Sequence, residues 1–155
     1  PYPPSTVGEF ELLPGVREGL VSLKATGYLV VVVTNQPDVA TGRQSSEVVD
    51  AMHAELRSKL PIDDIRVCFH TDEDGCECRK PLPGMLLAAA EELGIDLSSS
   101  YMVGDRWRDI EAGRAAGCRT IFIRSGYTER QPDQYDLGVD SFADASLAII
   151  GQVTQ

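Results

Sequence analysis

The chain has 155 residues, 43% of them hydrophobic and 6% aromatic, with 14 Lys and Arg against 24 Asp and Glu and a formal charge of −10. That length suits one domain, residues 1–155, large enough to bury a core without disulfide staples, and the composition argues against disorder. The acidity argues against phosphate backbones and anionic headgroups, so neither nucleic acid nor a membrane is the expected partner, while a small anionic substrate stays open if local cations or a metal receive it. The longest apolar run, Tyr28 to Val33, is far too short to span a bilayer, and residues 1–155 contain no stretch of secretory type, so a cytoplasmic location is the expectation unless a targeting segment lies upstream, and a monomer is expected.

Val16, Leu20 and Leu23 at helical spacing, with Pro14 before and Gly27 after, predict a helix near 14–25. The uninterrupted run Tyr28 to Val33 predicts a strand buried on both faces, stopping at Thr34-Asn35-Gln36-Pro37. Val49, Met52, His53, Leu56 and Leu60 mark a second helix capped by Ser45 or Ser46, and Ile65 to Phe69 reads as a strand. Leu86, Ala89, Ala90 and Leu93 give a third helix. Tyr101 to Val103 is a short strand ending at Gly104-Asp105, Ile110 to Ala116 a short helix, and Arg119 to Ile123 a strand. Residues 125–137 read as a surface loop, and a last helix runs from about Phe142 to Ile150. Strands alternating with helices in this way mean parallel βαβ units, hence an α/β, Rossmann-like doubly wound sheet with no large cap domain.

Ligands of open parallel sheets bind outside the carboxyl ends of the strands, so the polar residues there carry the functional reading. Thr34 and Asn35 suit a phosphate oxygen, although a turn ending a strand uses the same residues. Asp105, after Gly104, with Asp109 four residues on, suits a hard cation such as Mg²⁺ or, equally, a helix cap and a first-turn acid. Arg79-Lys80-Pro81 offers charge to a phosphoryl group, or a solvated cationic pair. Cys68, His70, Cys76 and Cys78 place four zinc ligands within eleven residues, which suits a closed, structural Cys₃His site in a zinc-binding loop better than the alternative of disulfides, for which Cys76 and Cys78 are poorly spaced. Cys118 reads as a small buried apolar residue, His53 as a surface or boundary residue, and Trp107 as packing against the sheet end.

Taken in order, Val31 to Gln36 (V-V-V-T-N-Q), Cys78 to Pro81 (C-R-K-P) and Val103 to Ile110 (V-G-D-R-W-R-D-I) resemble motifs two, three and four of haloacid dehalogenase-like (HAD) phosphatases, specifically their zinc-loop subgroup. The resemblance covers nearly the whole chain. It implies hydrolysis of a phosphomonoester on a small sugar phosphate, with a heptose bisphosphate as the first expectation and histidinol phosphate as the alternative, or else a noncatalytic zinc-stabilised module. By the same resemblance Thr34, Asn35, Gln36, Arg79, Lys80 and Arg106 bind substrate, Lys80 stabilises charge, Asp105 holds Mg²⁺, and Cys68, His70, Cys76 and Cys78 hold Zn²⁺. Pro37 and Arg106 depart from the usual pattern, Pro37 by lacking an N–H donor.

The family's D-x-D-G motif, with its nucleophile and its general acid/base, belongs at the end of a first strand upstream of everything above. The chain opens on Pro1-Tyr2-Pro3-Pro4, which reads as mid-loop, so that strand and its carboxylates are expected to lie outside these 155 residues, and the chain alone is expected to be inactive. Asp72-Glu73-Asp74-Gly75 does not substitute for it. It falls after motif two and inside the zinc-ligand loop, where it reads as an acidic loop tip.

Overall fold

The computed structural model describes residues 15–35, 46–68, 80–124 and 130–153, with some side chains inside these elements, Thr34 and Asn35 among them, outside the description. Among the described residues five helices and five strands follow in order: α1 (Val16–Ala25), β1 (Val31–Asn35), α2 (Ser46–Lys59), β2 (Asp64–Cys68), α3 (Gly84–Leu93), β3 (Tyr101–Gly104), α4 (Trp107–Ala116), β4 (Arg119–Ile123), β5 (Leu137–Val139) and α5 (Phe142–Val153). A 3₁₀ turn at Leu97–Ser99 precedes β3. Its cap is Asp96, whose carboxylate accepts from the Ser98 N–H at 3.0 Å. No described helix is long and apolar enough to cross a membrane.

Every described strand pairing is parallel, as the alternation of elements requires. β1 pairs with β2 from Val31 opposite Asp64 to Asn35 opposite Cys68. β3 pairs with β4 from Tyr101 opposite Arg119 to Gly104 opposite Phe122, and β5 extends that sheet from Ile121 opposite Leu137. Among the described residues no ladder joins β1 to β3, so the strands form a two-stranded and a three-stranded sheet. Between them runs a cleft of about 710 Å³, walled by Val31 and Val33 on one side and Tyr101 and Val103 on the other.

The helices cover the strands from both faces. α1 packs on α5, and α3 packs on α4, with α4 lying against β3 and β4. Thr120, Ile121 and Phe122 are consecutive and all buried, which a strand achieves only when neither face meets water. Thr120 keeps its polar atoms satisfied there, since both its N–H and its hydroxyl donate to the Asp136 carboxylate, at 2.8 and 3.1 Å. Leu20 and Leu23 of α1, Leu56 of α2, Ile121 of β4 and Ala145 and Ile149 of α5 make one core. α4 sits so close to β3 that a Cβ on Gly113 would lie 2.4 Å from Met102 Cβ, so only glycine permits this approach.

Several boundaries differ from the sequence reading, three of them near the cleft or its sheet. β1 starts at Val31, because Tyr28 to Val30 form the connection from α1, where Tyr28 meets Tyr101 edge-on at 6.2 Å and Val30 N–H is taken by the Asp63 carboxylate at 2.6 Å. α4 starts at Trp107, so Asp109 lies inside its first turn. β5 falls partly inside the stretch read as loop, of which residues 125–129 lie outside the described residues. Cys118 is half-buried and not fully enclosed, while His53 is the boundary residue expected, with burial pushing its pKa down.

Candidate active site

The carboxyl ends of β1 and β3 open onto the mouth of the cleft, and the charged groups gather there. Lys80, in the segment leading into α3, reaches this point with its ammonium paired to the Asp109 carboxylate and donating to the Val33 carbonyl at 3.3 Å. Val33 belongs to β1 and Asp109 to α4, so one side chain ties the two halves of the molecule together across the cleft. The pair is well enclosed, with Lys80 13% and Asp109 12% exposed along their side chains. At that burial a charge is tolerated only when paired, and each of the two supplies the other's countercharge.

Gly104 makes this geometry possible. A Cβ there would lie 2.4 Å from Asp109 Cβ and 2.5 Å from its Oδ2, distances no side chain tolerates. The last residue of β3 therefore has to be glycine for Asp109 to turn back over the strand end towards Lys80.

Asp105 follows directly. Burial, then the neighbouring Asp109 charge, hold its carboxyl above the usual carboxylate range, against the pull of Arg106 and Lys80. Asp109 already has its cation in Lys80, whereas Asp105 carries a partly desolvated negative charge beside another one. Neighbouring carboxylates offering only oxygen donors, one of them uncomfortable as an anion, have the chemistry that could receive a hard divalent cation such as Mg²⁺. Arg106 caps α4 with an extended backbone, placing the positive end of that helix beside the same mouth.

The other expected site residues are placed less completely. Thr34 and Asn35 are in β1, paired with Val67 and Cys68, which puts their backbone at the cleft mouth. Gln36, Arg79, His70, Cys76 and Cys78 lie outside the described residues. Cys68 is described: it ends β2 and is 1% exposed. Among the described residues no group of three or more His, Cys, Asp or Glu is arranged to hold a metal. One residue with structural work at the site was not singled out by its sequence pattern, Arg108 as a donor to the Lys80 carbonyl at 3.3 Å, while Gly104, expected there for close backbone approach, is the gap that admits Asp109. The G-D-x-x-x-D spacing was the one signal pointing to Asp109.

A family model for HAD-like hydrolases matches residues 77–145. The chain is 39% identical over 126 residues to D-glycero-beta-D-manno-heptose-1,7-bisphosphate 7-phosphatase of Pseudomonas aeruginosa, covering 78% of this chain and 71% of that protein. It is 38% identical over 159 residues to the Pasteurella multocida protein of the same name, covering 94% and 86%. Among solved structures, the D,D-heptose 1,7-bisphosphate phosphatase of B. bronchiseptica, complexed with magnesium and phosphate, superposes with a TM-score of 0.86 at 28% identity over 96% of this chain and 88% of that one. The chain belongs to the D-glycero-beta-D-manno-heptose-1,7-bisphosphate 7-phosphatase family of HAD-like phosphatases.

Proposed function

We propose that this chain supplies the phosphate-receiving and charge-balancing part of a Mg²⁺-dependent phosphomonoesterase, with the 7-phosphate of heptose 1,7-bisphosphate as substrate. The observation that carries the reading is the enclosed Lys80–Asp109 pair beside Asp105, at the strand ends where a phosphoryl group would enter. The names of the relatives supply the substrate.

Lys80 presents a fixed positive charge of low exposure, suited to charge that builds on the equatorial oxygens of a transferring phosphoryl group. Thr34 and Asn35 at the end of β1, together with Gln36, Arg79 and Arg106, orient the phosphate and the sugar. Asp105 would hold Mg²⁺, which when bound offsets the charge of the phosphate in the approach of an anionic nucleophile. That nucleophile is a carboxylate on a further strand, seated in the cleft between β1 and β3, whose apolar walls and unladdered edges suit a parallel strand. Its oxygen forms the bond to phosphorus as the ester P–O bond breaks, and a second carboxyl group in its acid form protonates the leaving alkoxide and then, as the carboxylate, takes the proton of the attacking water. Water then cleaves the acyl phosphate.

The test compares phosphate release from heptose 1,7-bisphosphate, with Mg²⁺, by the 155-residue chain and by a version with an apolar strand ending in Asp-x-Asp-Gly placed ahead of Pro1. Release by the extended version alone is expected. Equal rates would overturn the assignment of the nucleophile, and turnover of histidinol phosphate in place of the heptose would overturn the substrate.

Cys68, His70, Cys76 and Cys78 form a structural zinc site in the same reading, and the buried position of Cys68 at the end of β2 supports an enclosed ligand there. Elemental analysis of protein purified under reducing, chelator-free conditions is expected to find about one zinc per chain, the content of one closed four-ligand site. Protein that folds fully without zinc would refute it.

A further inference from the structure

Lys80 is held by α4 at both ends. Its ammonium meets Asp109, and its backbone carbonyl accepts a hydrogen bond from Nη1 of Arg108, the residue just before, at 3.3 Å. Arg108 has its guanidinium carbon 4.8 Å from the centre of the Trp107 ring, and the guanidinium carbon of Arg130 lies 4.3 Å from the same ring. Arg130 is in turn held by Glu111 at 3.2 Å and Asp133 at 3.0 Å. The contacts run without a break from the segment after residue 129, through Trp107 and Arg108, to the backbone of Lys80.

We propose that Arg108 is a positioning residue for Lys80. By fixing the Lys80 carbonyl it sets where the four-carbon stem begins, and so keeps the ammonium on Asp109 and the Val33 carbonyl. A lysine stem has many rotamers of similar energy, so an anchored Cα is needed to hold its charge in one place. Arginine suits the task because its planar group donates to a carbonyl while its face rests on an indole. The inference concerns where Lys80 is held and depends on the proposed reaction only for its catalytic consequence.

Acetylation by an N-hydroxysuccinimide ester, mapped by mass spectrometry on the 155-residue chain, tests it without any turnover. Lys24 and Lys59, paired with Asp63 and Glu55 away from the cleft, serve as internal references. Arg108→Met keeps apolar bulk over Trp107 and removes the donor. It is expected to raise Lys80 acetylation about fivefold, the worth of one net hydrogen bond, with Lys24 and Lys59 unchanged. Arg108→Lys, which restores one donor, should fall between. An unchanged Lys80 rate in Arg108→Met would overturn the proposal, and so would an equal rise at all three lysines, because that reports a loosened fold and not a released side chain. Because the readout is chemical reactivity, neither result bears on whether the protein is a phosphatase.

Discussion

Lys80→Met is expected to lower stability by about 3 to 5 kcal/mol, the range for breaking one partner of a buried ion pair. Enclosed Asp109 and half-buried Asp105 would then repel each other with only the pull of Arg106 on Asp105 to offset it, since Asp105 already sits above the usual carboxylate range partly because of Asp109. Against a typical domain stability of ~5 to 15 kcal/mol, a loss of that size is readily measured by urea unfolding. Turnover by the complete enzyme should fall by about 10² to 10³, the effect of removing one preorganised charge-stabilising group. The double change Lys80→Met with Asp109→Asn separates the two effects. It replaces the ion pair by uncharged groups of similar size, so stability should largely return while turnover stays low. Recovery of both together would mean that Lys80 matters only as a structural partner of Asp109.

That pair also marks the boundary of what could be read from residues alone. Lys80 and Asp109 each stand in a recognisable pattern, and both strand ends were expected at the site, yet their pairing joins residues 29 apart in the chain. It depends on Gly104 having no Cβ and on α4 beginning at Trp107, three residues earlier than its apolar spacing indicates. Trp107, Arg108 and Asp109 form a polar first turn, which periodicity cannot see because periodicity registers only the buried stripe. The apolar periods did locate the core, since Leu20, Leu23, Leu56 and Leu60 are all in it. β1 ran late for the same reason that β5 was missed. Thr34 and Asn35 continue a ladder set by Val67 and Cys68, and Leu137-Gly138-Val139 is too short to carry an alternation, so in both cases the neighbouring strand decides.

Asp105→Asn separates stability from function in the opposite direction. In the metal-free protein this change is expected to raise stability by about 0.5 to 2 kcal/mol, or a few degrees in Tm, because an amide removes a desolvated charge that also repels Asp109. The pH dependence follows from the raised pKa of Asp105. The folded state binds that proton more tightly than the unfolded chain does, so the penalty is complete above the folded pKa and fades as pH falls towards the ordinary value of ~3.9. The advantage of the Asn variant should therefore be present at neutral pH and vanish in acid. Mg²⁺ should reverse the ranking. At about a hundred times its dissociation constant a ligand of the folded state adds ~2.7 kcal/mol, and only the protein with Asp105 can collect it. Trp107, the one tryptophan of the chain and two residues from Asp105, provides a fluorescence readout of the same titration. A Mg²⁺-induced rise in Tm of equal size in both proteins would remove Asp105 from the metal site, and an Asn variant less stable than the parent without metal would show that the carboxylate is a structural hydrogen-bond acceptor instead.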